Sequence, residues 1–434
     1  MRLNFPDDFY WGSATSAHQV EGNNHNDWTE WEKSELKIQN LKLKIQDENF
    51  KKSFPPHIFS KWPTPLDLEN YISGRACDHY NRFKEDFDIA KSLGHNAHRF
   101  SIEWSRIEPE EGKFDEAEIE HYRQVISALK ERGIEPFVTL WHWTNPIWFA
   151  KKGGWLNKDA PKYFERYVDK ITLSLKDVNV KFWITLNEPN VYVGKSYIQG
   201  NFPPQGRSFW RANKVFKNLI RANNQAYSLM HKIAGDKIKI GSTHFLVAHL
   251  PYNPKSFLDK ISVKFLDYIR NFRPIRNARE HHDFIGIDYY HLERIEFSLR
   301  GRRWFLFNTH VSPDNLTEFG WEIYPEGIYK FLMRLKKYNK PIYITENGIA
   351  DARDEKRAKF IKEHLKWVHK AISEGVDIRG YFYWSLLDNF EWDKGFWPRF
   401  GLVEVDYRTL ERKIRNSALK YKKICKENSL DMDF

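Results

Sequence analysis

The sequence contains only two cysteines, Cys77 and Cys425, among its 434 residues. Two thiols cannot form a multi-disulfide framework, and these two do not have the short spacing of metal-binding cysteine motifs. The class of small disulfide-rich domains is therefore excluded, as is a zinc site built from cysteine pairs.

Long apolar runs are also missing. No stretch approaches the roughly 18 consecutive apolar residues of a membrane-spanning helix. The first eight residues, MRLNFPDD, have no apolar core of a signal peptide. These two absences predict a protein that stays in the cytoplasm.

The chain also has no excess of acidic residues. Its 69 Lys and Arg outnumber its 58 Asp and Glu and give a net charge of +11. Such a charge raises nucleic acid or an anionic membrane as partners. The sequence shows no nucleic-acid-binding motif, and apart from denser runs such as 294–303 its basic residues are spread along helix faces and loops. We interpret the charge as a solvated basic surface and predict no nucleic-acid partner.

Aromatic residues, by contrast, are plentiful, with 17 Trp, 21 Tyr and 32 Phe making 16% of the chain. Aromatic rings pack against the apolar faces of sugars, but they also fill large protein cores. Composition alone therefore leaves both interpretations open.

Strand and helix patterns alternate along the chain. Eight short apolar runs are each followed by an amphipathic helix or an inserted loop, which predicts an α/β fold, a single (β/α)8 TIM barrel with long βα loops. We expect one catalytic domain over residues 1–434, with a surface insertion at about 33–72 that lacks a clear helix or strand period. Predicted helices include 78–94, 116–132, 159–176, 209–234, 257–271, 325–338, 354–374 and 413–427, and predicted strands include 135–140, 237–243, 283–290 and 378–385.

Two of the predicted strands end in a carboxylate. The run PIYIT leads into Glu346, and the run KFWITLN leads into Glu188. The carboxyl ends of barrel strands face one basin, so these two side chains should meet there. A pair of carboxyls flanking one bond is what glycoside hydrolysis needs.

Arg99 lies inside another apolar strand, which almost requires a carboxylate partner such as Glu346. Gln19 and His142 follow strand ends, although a buried amide or a single histidine is more often structural. The loop after the last strand carries Glu391 close to three tryptophans, and sugars need both flat rings and strong acceptors. These tryptophans are Trp384, Trp392 and Trp397; for Trp397, anchoring the loop is an equally good interpretation.

Taken together, these motifs resemble family 1 of the glycoside hydrolases, the β-glucosidase and β-galactosidase group. The similarity extends from Phe9 nearly to the C-terminus. The segments that carry it are 11–22, 99–107, 185–189 (TLNEP), 344–348 (ITENG), and 384–392 with its DNFEW motif.

The resemblance implies a retaining β-glycosidase that cleaves β-O-glycosidic bonds of glucosides and related galactosides, fucosides or alkyl glycosides. Glu346 would be the nucleophile and Glu188 the acid/base, with Arg99 and Tyr290 orienting Glu346. Arg99 would lower the pKa of Glu346, and the negative charge of Glu346 would raise the pKa of Glu188. No cofactor or metal is implied, and the partner is a small glycoside or an oligosaccharide. Substrate-binding residues would be Gln19, His142, Asn187, Trp384, Glu391 and Trp392.

The chain departs from the family pattern at Asp288, where an Asn usually precedes the two tyrosines; an aspartate there would add negative charge near Tyr290. Relatives that act on 6-phosphorylated sugars carry a Ser and a Lys in the last loop. Here Glu391, Trp392 and Pro398 stand instead, which predicts a neutral sugar.

Two alternatives stay open. A non-catalytic glycan-binding barrel would be expected to lack one of the two carboxylates. A lipid-surface glycosidase acting on alkyl glycosides or glycolipids is suggested by the net charge and the basic, aromatic run 300–307, for which a solvated loop is the preferred interpretation. The sequence does not choose between glucose, galactose, fucose and mannose, and it does not set the oligomeric state.

Overall fold

The computed structural model describes residues 2–299 and 306–432. Eight parallel strands close into a barrel, because β5 pairs with β4 on one side and with β6 on the other. The predicted TIM barrel is confirmed. Its strands are β1 (Tyr10–Ala14), β2 (Ala97–Ser101), β3 (Glu135–Thr139), β4 (Phe182–Ile184), β5 (Lys239–Pro251), β6 (Phe284–Phe297), β7 (Ile342–Asn347) and β8 (Ile378–Trp384).

Each strand is followed by a helix, as the sequence predicts. The 209–234 prediction matches the observed helix, and the other predicted helix ends lie close to the observed ones except at 257–271, where helical turns continue to Ala278. The helices are α1 (His79–Ser92), α2 (Glu116–Glu131), α3 (Ala160–Ser174), α4 (Phe209–Ala234), α5 (Phe257–Leu266), α6 (Glu326–Leu335), α7 (Arg357–Ser373) and α8 (Asn416–Glu427).

Helix α2 shows how the local sequence sets these elements. The carboxylate of Asp115 accepts hydrogen bonds from the first free backbone N–H groups of the helix, which caps its N-terminus. The helix ends before Gly133, whose φ of +65° suits the left-handed turn that follows. The buried face, which packs on the barrel, consists of Ile119, Tyr122, Val125, Ile126, Ala128 and Leu129.

Strands β5 and β6 run past the barrel rim, well beyond the predicted ends at 243 and 290. Their parallel pairing continues to Pro251 opposite Ile295, and a strand at Phe307–His310 adds to β6 antiparallel. This ribbon satisfies the backbone groups of the extension outside the barrel, a partner that local sequence patterns do not reveal.

Aromatic rings fill the barrel interior below the strand ends. The rings of Phe137 and Phe182 stack with centroids 4.2 Å apart, and Phe284 and Tyr343 pack edge-on at 5.1 Å. Gly241 makes room for one of them, since a Cβ at this position would lie 2.5 Å from the ring of Phe284. The barrel interior is therefore a packed aromatic floor, not a pore.

The insertion at 33–72, which lacks a clear helix period in the sequence, contains a helix at Glu35–Gln46. The insertion packs against the loop after β8. The side chain of its residue Asn70 accepts hydrogen bonds from the backbone N–H groups of Phe396 and Trp397 in that loop, at 3.0 and 2.8 Å. Other short helices are Ala17–Val20, Asp27–Glu32, Glu48–Lys52, Trp104–Ile107, Ile147–Lys151, Pro189–Val193 and Arg273–Ala278, and the remaining short strands pair Arg2–Asn4 with Ser429–Asp431 and Val403–Val405 with Arg412–Ile414.

Within residues 2–299 and 306–432, no helix combines the length and the apolarity needed to cross a membrane.

Candidate active site

The two carboxylates at the ends of strands meet at the mouth of the barrel. Glu346 lies in β7, and Glu188 follows β4 as the residue that begins the short helix Pro189–Val193. Oxygen atoms of Glu188, Glu346 and a third carboxyl, Asp288, all lie within 4.8 Å of one another. All three side chains are buried.

Glu346 is held by two donors, one from the neighbouring strand β6 and one from β2 across the barrel. Nη1 of Arg99 lies 2.5 Å from its Oε1, and the hydroxyl of Tyr290 donates to its Oε2 over 2.6 Å. The guanidinium is itself fixed, because Nη2 donates to Oδ1 of Asn187 and Nε donates to the hydroxyl of Thr139 at 3.2 Å. Both oxygens of Glu346 therefore have fixed donors that favour its ionised form.

Glu188 has a strained backbone. Its φ of +41° lies in the left-handed region, which a residue with a Cβ disfavours. Its backbone N–H donates to the carbonyl of Thr243 at 3.1 Å, and the following Pro189 starts the next helix. Trp143 and Trp392, which line the same cleft, also have positive φ values of 75° and 50°. Three non-glycine residues with a left-handed backbone therefore line the cleft.

The charges of the cluster set the pKa values of its acids. Burial, followed by the negative charges of Glu346 and Asp288, raises the pKa of Glu188 well above its ordinary value. Burial and then Asp288 raise the pKa of Glu346 to about 8, against the lowering effect of Arg99 and Tyr290. Arg99 thus acts in the predicted direction but does not prevail. The donors of the cluster contact Glu346, which favours the ionised form of Glu346 over that of Glu188.

Asp288 is the third member of the cluster. Its Oδ1 accepts from the hydroxyl of Thr345 at 2.6 Å and lies 3.9 Å from Nη1 of Arg99. Within the described part of the chain, no donor reaches its Oδ2, although this atom is buried. Three carboxyls at this separation are the kind of group that can hold a metal ion, but the guanidinium of Arg99 already supplies a positive charge to two of them. We assign no ion to the cluster.

A cleft of about 360 Å³ opens above these carboxyls. Six of the eight substrate-binding and nucleophile-orienting residues predicted from the sequence line it, whereas Arg99 and Asn187 lie beneath the lining. The six are Gln19, His142, Tyr290, Trp384, Glu391 and Trp392.

Gln19 and Glu391 are connected in the cleft wall. The amide of Gln19 donates to Glu391 at 3.3 Å and to the carbonyl of Phe390 at 2.9 Å. Trp384 also donates to Glu391. Burial, followed by the charges of Glu346 and Asp393, raises the pKa of Glu391 to about 8. Glu391 is therefore an acceptor whose charge depends on pH near neutrality.

His142 and Asn187 form a second polar pair. The amide nitrogen of Asn187 lies 3.1 Å from Nε2 of His142, and its Oδ1 accepts from the hydroxyl of Thr243 at 2.8 Å. Burial lowers the pKa of His142 well below its ordinary value, so the ring is neutral. Because Nε2 accepts from the amide, Nδ1 carries the hydrogen, and among the described residues this atom has no partner. His142 therefore has a buried N–H that no described residue accepts.

The sequence interpretation missed Thr139 and Thr243, which hold Arg99, Asn187 and the backbone of Glu188. Both threonines stand at the point where a barrel strand reaches the basin, the same signal that points to the two glutamates. Trp397 does not line the cleft, and it packs with Ile58 and Phe54 of the insertion as an anchor of the loop. Of the basic, aromatic run 300–307, residues 300–305 lie outside the described residues.

An eight-stranded parallel barrel with two acids this close at its carboxyl end defines a hydrolase of glycosidic bonds. The comparisons with known proteins agree. The family model described as glycosyl hydrolase family 1 matches residues 1–273 and 271–430. Beta-glucosidase A of Thermotoga maritima is 36% identical over 98% of this chain and 99% of its own length, and a beta-galactosidase of Sulfolobus acidocaldarius is 32% identical over 81% and 84%.

Among solved structures, a beta-glycosidase from Pyrococcus horikoshii superposes with a TM-score of 0.86 at 39% identity, covering 100% of this chain and 97% of that one. The chain belongs to glycosyl hydrolase family 1. The predicted family and the predicted enzyme class are confirmed.

Proposed function

We propose that the protein is a retaining β-glycosidase that hydrolyses β-O-glycosides of neutral sugars, β-D-glucosides among them, by double displacement. The observation that carries this proposal is the separation of the two strand-end acids, whose nearest oxygens lie within 4.8 Å. Retaining glycosidases keep their carboxyls about 5–5.5 Å apart, whereas inverting enzymes need about 6.5–9.5 Å to admit a water. The observed separation is on the retaining side of this range.

In the first step, an ionised oxygen of Glu346 attacks the anomeric carbon while the bond to the leaving oxygen breaks. Glu188 donates its proton to that oxygen, so the aglycone leaves as a neutral alcohol. Arg99 and Tyr290 support this role because they hold both oxygens of Glu346 in place. The raised pKa of Glu188, caused by burial and by the charges of Glu346 and Asp288, supports its role as the acid.

In the second step, Glu346 is esterified to the sugar and carries no charge. The pKa of Glu188 falls as that charge disappears, and its carboxylate takes a proton from water. The oxygen of this water attacks the anomeric carbon from the face that the aglycone left, and the ester bond to Glu346 breaks. Two inversions leave the configuration unchanged.

We further propose how the glycone is held. Nδ1 of His142 and the second hydrogen of the Asn187 amide would donate to sugar hydroxyls, and Gln19 with Glu391 would bind others. Trp384 and Trp392 would pack on the ring. A carboxyl at position 391 supports a neutral sugar, since it offers no positive charge to a phosphate. The cytoplasmic location and a single catalytic domain over 1–434 stay predictions.

The experiment that tests the nucleophile is Glu346→Ala with an aryl β-glucoside. We expect turnover to be lost and then partly restored by azide, which fits the space left by the carboxylate and gives the α-glycosyl azide. As a control, Glu131→Ala changes an exposed glutamate of α2 and should keep wild-type turnover. Near-wild-type activity of Glu346→Ala would exclude the assigned nucleophile.

The acid is tested by Glu188→Ala on two β-glucosides that differ only in their leaving group. A dinitrophenolate leaves without a proton, so its glucoside should lose far less kcat/KM than a methyl glucoside. Equal losses on both would refute the role of Glu188. A panel of aryl glucosides, galactosides, fucosides and mannosides, measured with the wild-type protein, identifies the glycone.

The lipid-surface alternative is favoured by one face of α5. Phe257, Leu258, Ile261 and Phe265 are between 47% and 74% exposed, and at 100° per residue they lie within about 100° of the helix circumference. Exposed lysines at 255, 260 and 264 flank this stripe, which suits an anionic bilayer. Arg270, five residues after Phe265, lines the cleft, so the stripe lies near the site.

Vesicle cosedimentation decides this alternative. If it holds, the protein binds phosphatidylserine vesicles at low salt, binds neutral phosphatidylcholine vesicles less, and loses binding in the double variant Phe257→Ser with Phe265→Ser. Leu173→Ser, which changes an exposed leucine on α3, is the matched control. Absence of binding to either vesicle at low salt removes the lipid interpretation.

A further inference from the structure

The carboxyl cluster contains one more acid than the proposed mechanism uses. Asp288 is fully buried, and its side chain reaches both Glu188 and Glu346 within 4.8 Å. The charged and titratable groups that face it are Arg99 from β2, Glu188 after β4, Glu346 from β7 and Tyr290 on its own strand. Of these groups only Arg99 is a cation, and it forms ion pairs with Glu346 and Asp288.

The two oxygens of Asp288 have different surroundings. Oδ1 accepts from Thr345 and faces Arg99, whereas Oδ2 has no donor within residues 2–299 and 306–432. A buried carboxylate oxygen without a donor is costly. A carboxyl oxygen of Glu188 lies within 4.8 Å of the Asp288 carboxyl, and Glu188 can donate to Asp288 only while it holds its proton.

We propose that Asp288 is a positioning residue that keeps the acid/base Glu188 protonated, because the Asp288 carboxylate accepts a hydrogen bond from the protonated carboxyl of Glu188. This inference rests on the proposed function of Glu188. In the first step, Glu188 gives this proton to the leaving oxygen. In the second step it recovers a proton from water, and the hydrogen bond to Asp288 forms again.

The two steps respond to Asp288 in opposite ways. Its negative charge extends proton donation by Glu188 to higher pH, because a nearby like charge disfavours the ionised form. The same charge remains when Glu346 is esterified, so Glu188 becomes a free base only at a higher pH than it would beside a neutral residue. Asp288 should therefore move the whole working range of the enzyme towards alkaline pH.

The test is Asp288→Asn, which keeps the size and the acceptor for Thr345 but removes the charge. We expect both limbs of the pH profile of kcat/KM for an aryl β-glucoside to shift to lower pH by about one pH unit. This is a typical effect of one neighbouring charge. On the alkaline limb this corresponds to about a tenfold loss at a fixed pH, with little change near the new optimum. For a dinitrophenyl glucoside, whose turnover is limited by the second step, the acid limb of kcat should move down as well.

Thr345→Val is the matched control. It removes the hydroxyl that binds Oδ1 of Asp288 over 2.6 Å but leaves the charge in place. If Asp288 merely supports the local structure, Thr345→Val should reproduce the effect of Asp288→Asn. If our inference is correct, Thr345→Val lowers activity but does not shift the limbs of the pH profile to lower pH. Asp288→Ser is smaller and also neutral, so it must give the same shift in the pH profile. It replaces Asp288→Asn in the experiment if Asp288→Asn does not fold.

A second measurement separates this inference from the proposed function. Infrared difference spectra record the C=O band of the protonated Glu188 carboxyl and follow the titration of Glu188 without any substrate. The band is assigned to Glu188 because it is lost in Glu188→Gln. Asp288→Asn should lower the midpoint of this titration by about one unit. An unchanged midpoint overturns the inference even if the enzyme is a glycosidase. A wild-type protein that cleaves no β-glycoside refutes the proposed function, and the infrared titration still decides the role of Asp288.

Discussion

Glu391 links the proposed sugar site to the stability of the fold. Its pKa is raised from 4.5 to about 8, first by burial and then by the charges of Glu346 and Asp393. The folded protein therefore holds a proton that the unfolded chain has already lost at neutral pH. The resulting stability is complete below pH 4.5 and disappears as the pH rises to about 8.

The size of this effect follows from the pKa values. The interval from 4.5 to about 8 corresponds to at most about 5 kcal/mol of unfolding free energy. Glu391 is only half-buried, so water reduces the penalty, and we expect about 2–3 kcal/mol. Glu391→Gln removes the titration while keeping an oxygen that accepts from Gln19.

Urea unfolding at about pH 5, 7 and 9 measures this difference. The variant and the wild type should have similar unfolding free energies at the lowest pH, and the variant should be the more stable at the highest. Glu131→Gln, on the exposed face of α2, controls for the general effect of removing a negative charge. A stability difference that is the same at all three pH values would refute the reasoning.

Three further predictions follow from single contacts. Tyr290→Phe removes a 2.6 Å hydrogen bond to Glu346, worth roughly 1.5–3 kcal/mol, so the pKa of Glu346 should rise and the acid limb of kcat/KM should move up by about one to two units. Arg99→Lys cannot contact Glu346 and Asn187 together, and kcat should fall by about a hundredfold without a matching fall in melting temperature. Gly348→Ala places a Cβ 1.9 Å from the carbonyl oxygen of Trp384, so calorimetry should show a loss of about 1–3 kcal/mol and kinetics a higher KM.

Much of the fold is readable from the sequence because the barrel strands are short, largely buried runs and the helices between them have one apolar stripe. The endings of β4 and β7 also reveal the acids, since a charge after a buried run needs a reason. The extension of β5 to Pro251 is not readable, because its partners in β6 and at Phe307–His310 are distant in sequence. A local sequence pattern indicates which residues are buried, but it does not indicate which strands pair with each other.

The site shows the same division. The contact between Arg99 and Glu346 is predicted, because a buried arginine requires a carboxylate. The rise in the pKa of Glu346 is not predicted, because it depends on how close Asp288 lies to the other two acids. Asp288 is visible in the sequence as an unusual residue, but only the 4.8 Å separation makes it part of the acid cluster.

The left-handed backbone of Glu188 has a consequence for how this enzyme can change. A residue with a Cβ in that conformation costs about 1–3 kcal/mol, which the surrounding structure must offset. Glycine adopts the same conformation without strain, so Glu188→Gly should melt at a higher temperature while losing proton transfer. A laboratory selection for heat resistance alone should therefore drift towards catalytically dead descendants at this position, and only a simultaneous demand for sugar release would preserve the glutamate.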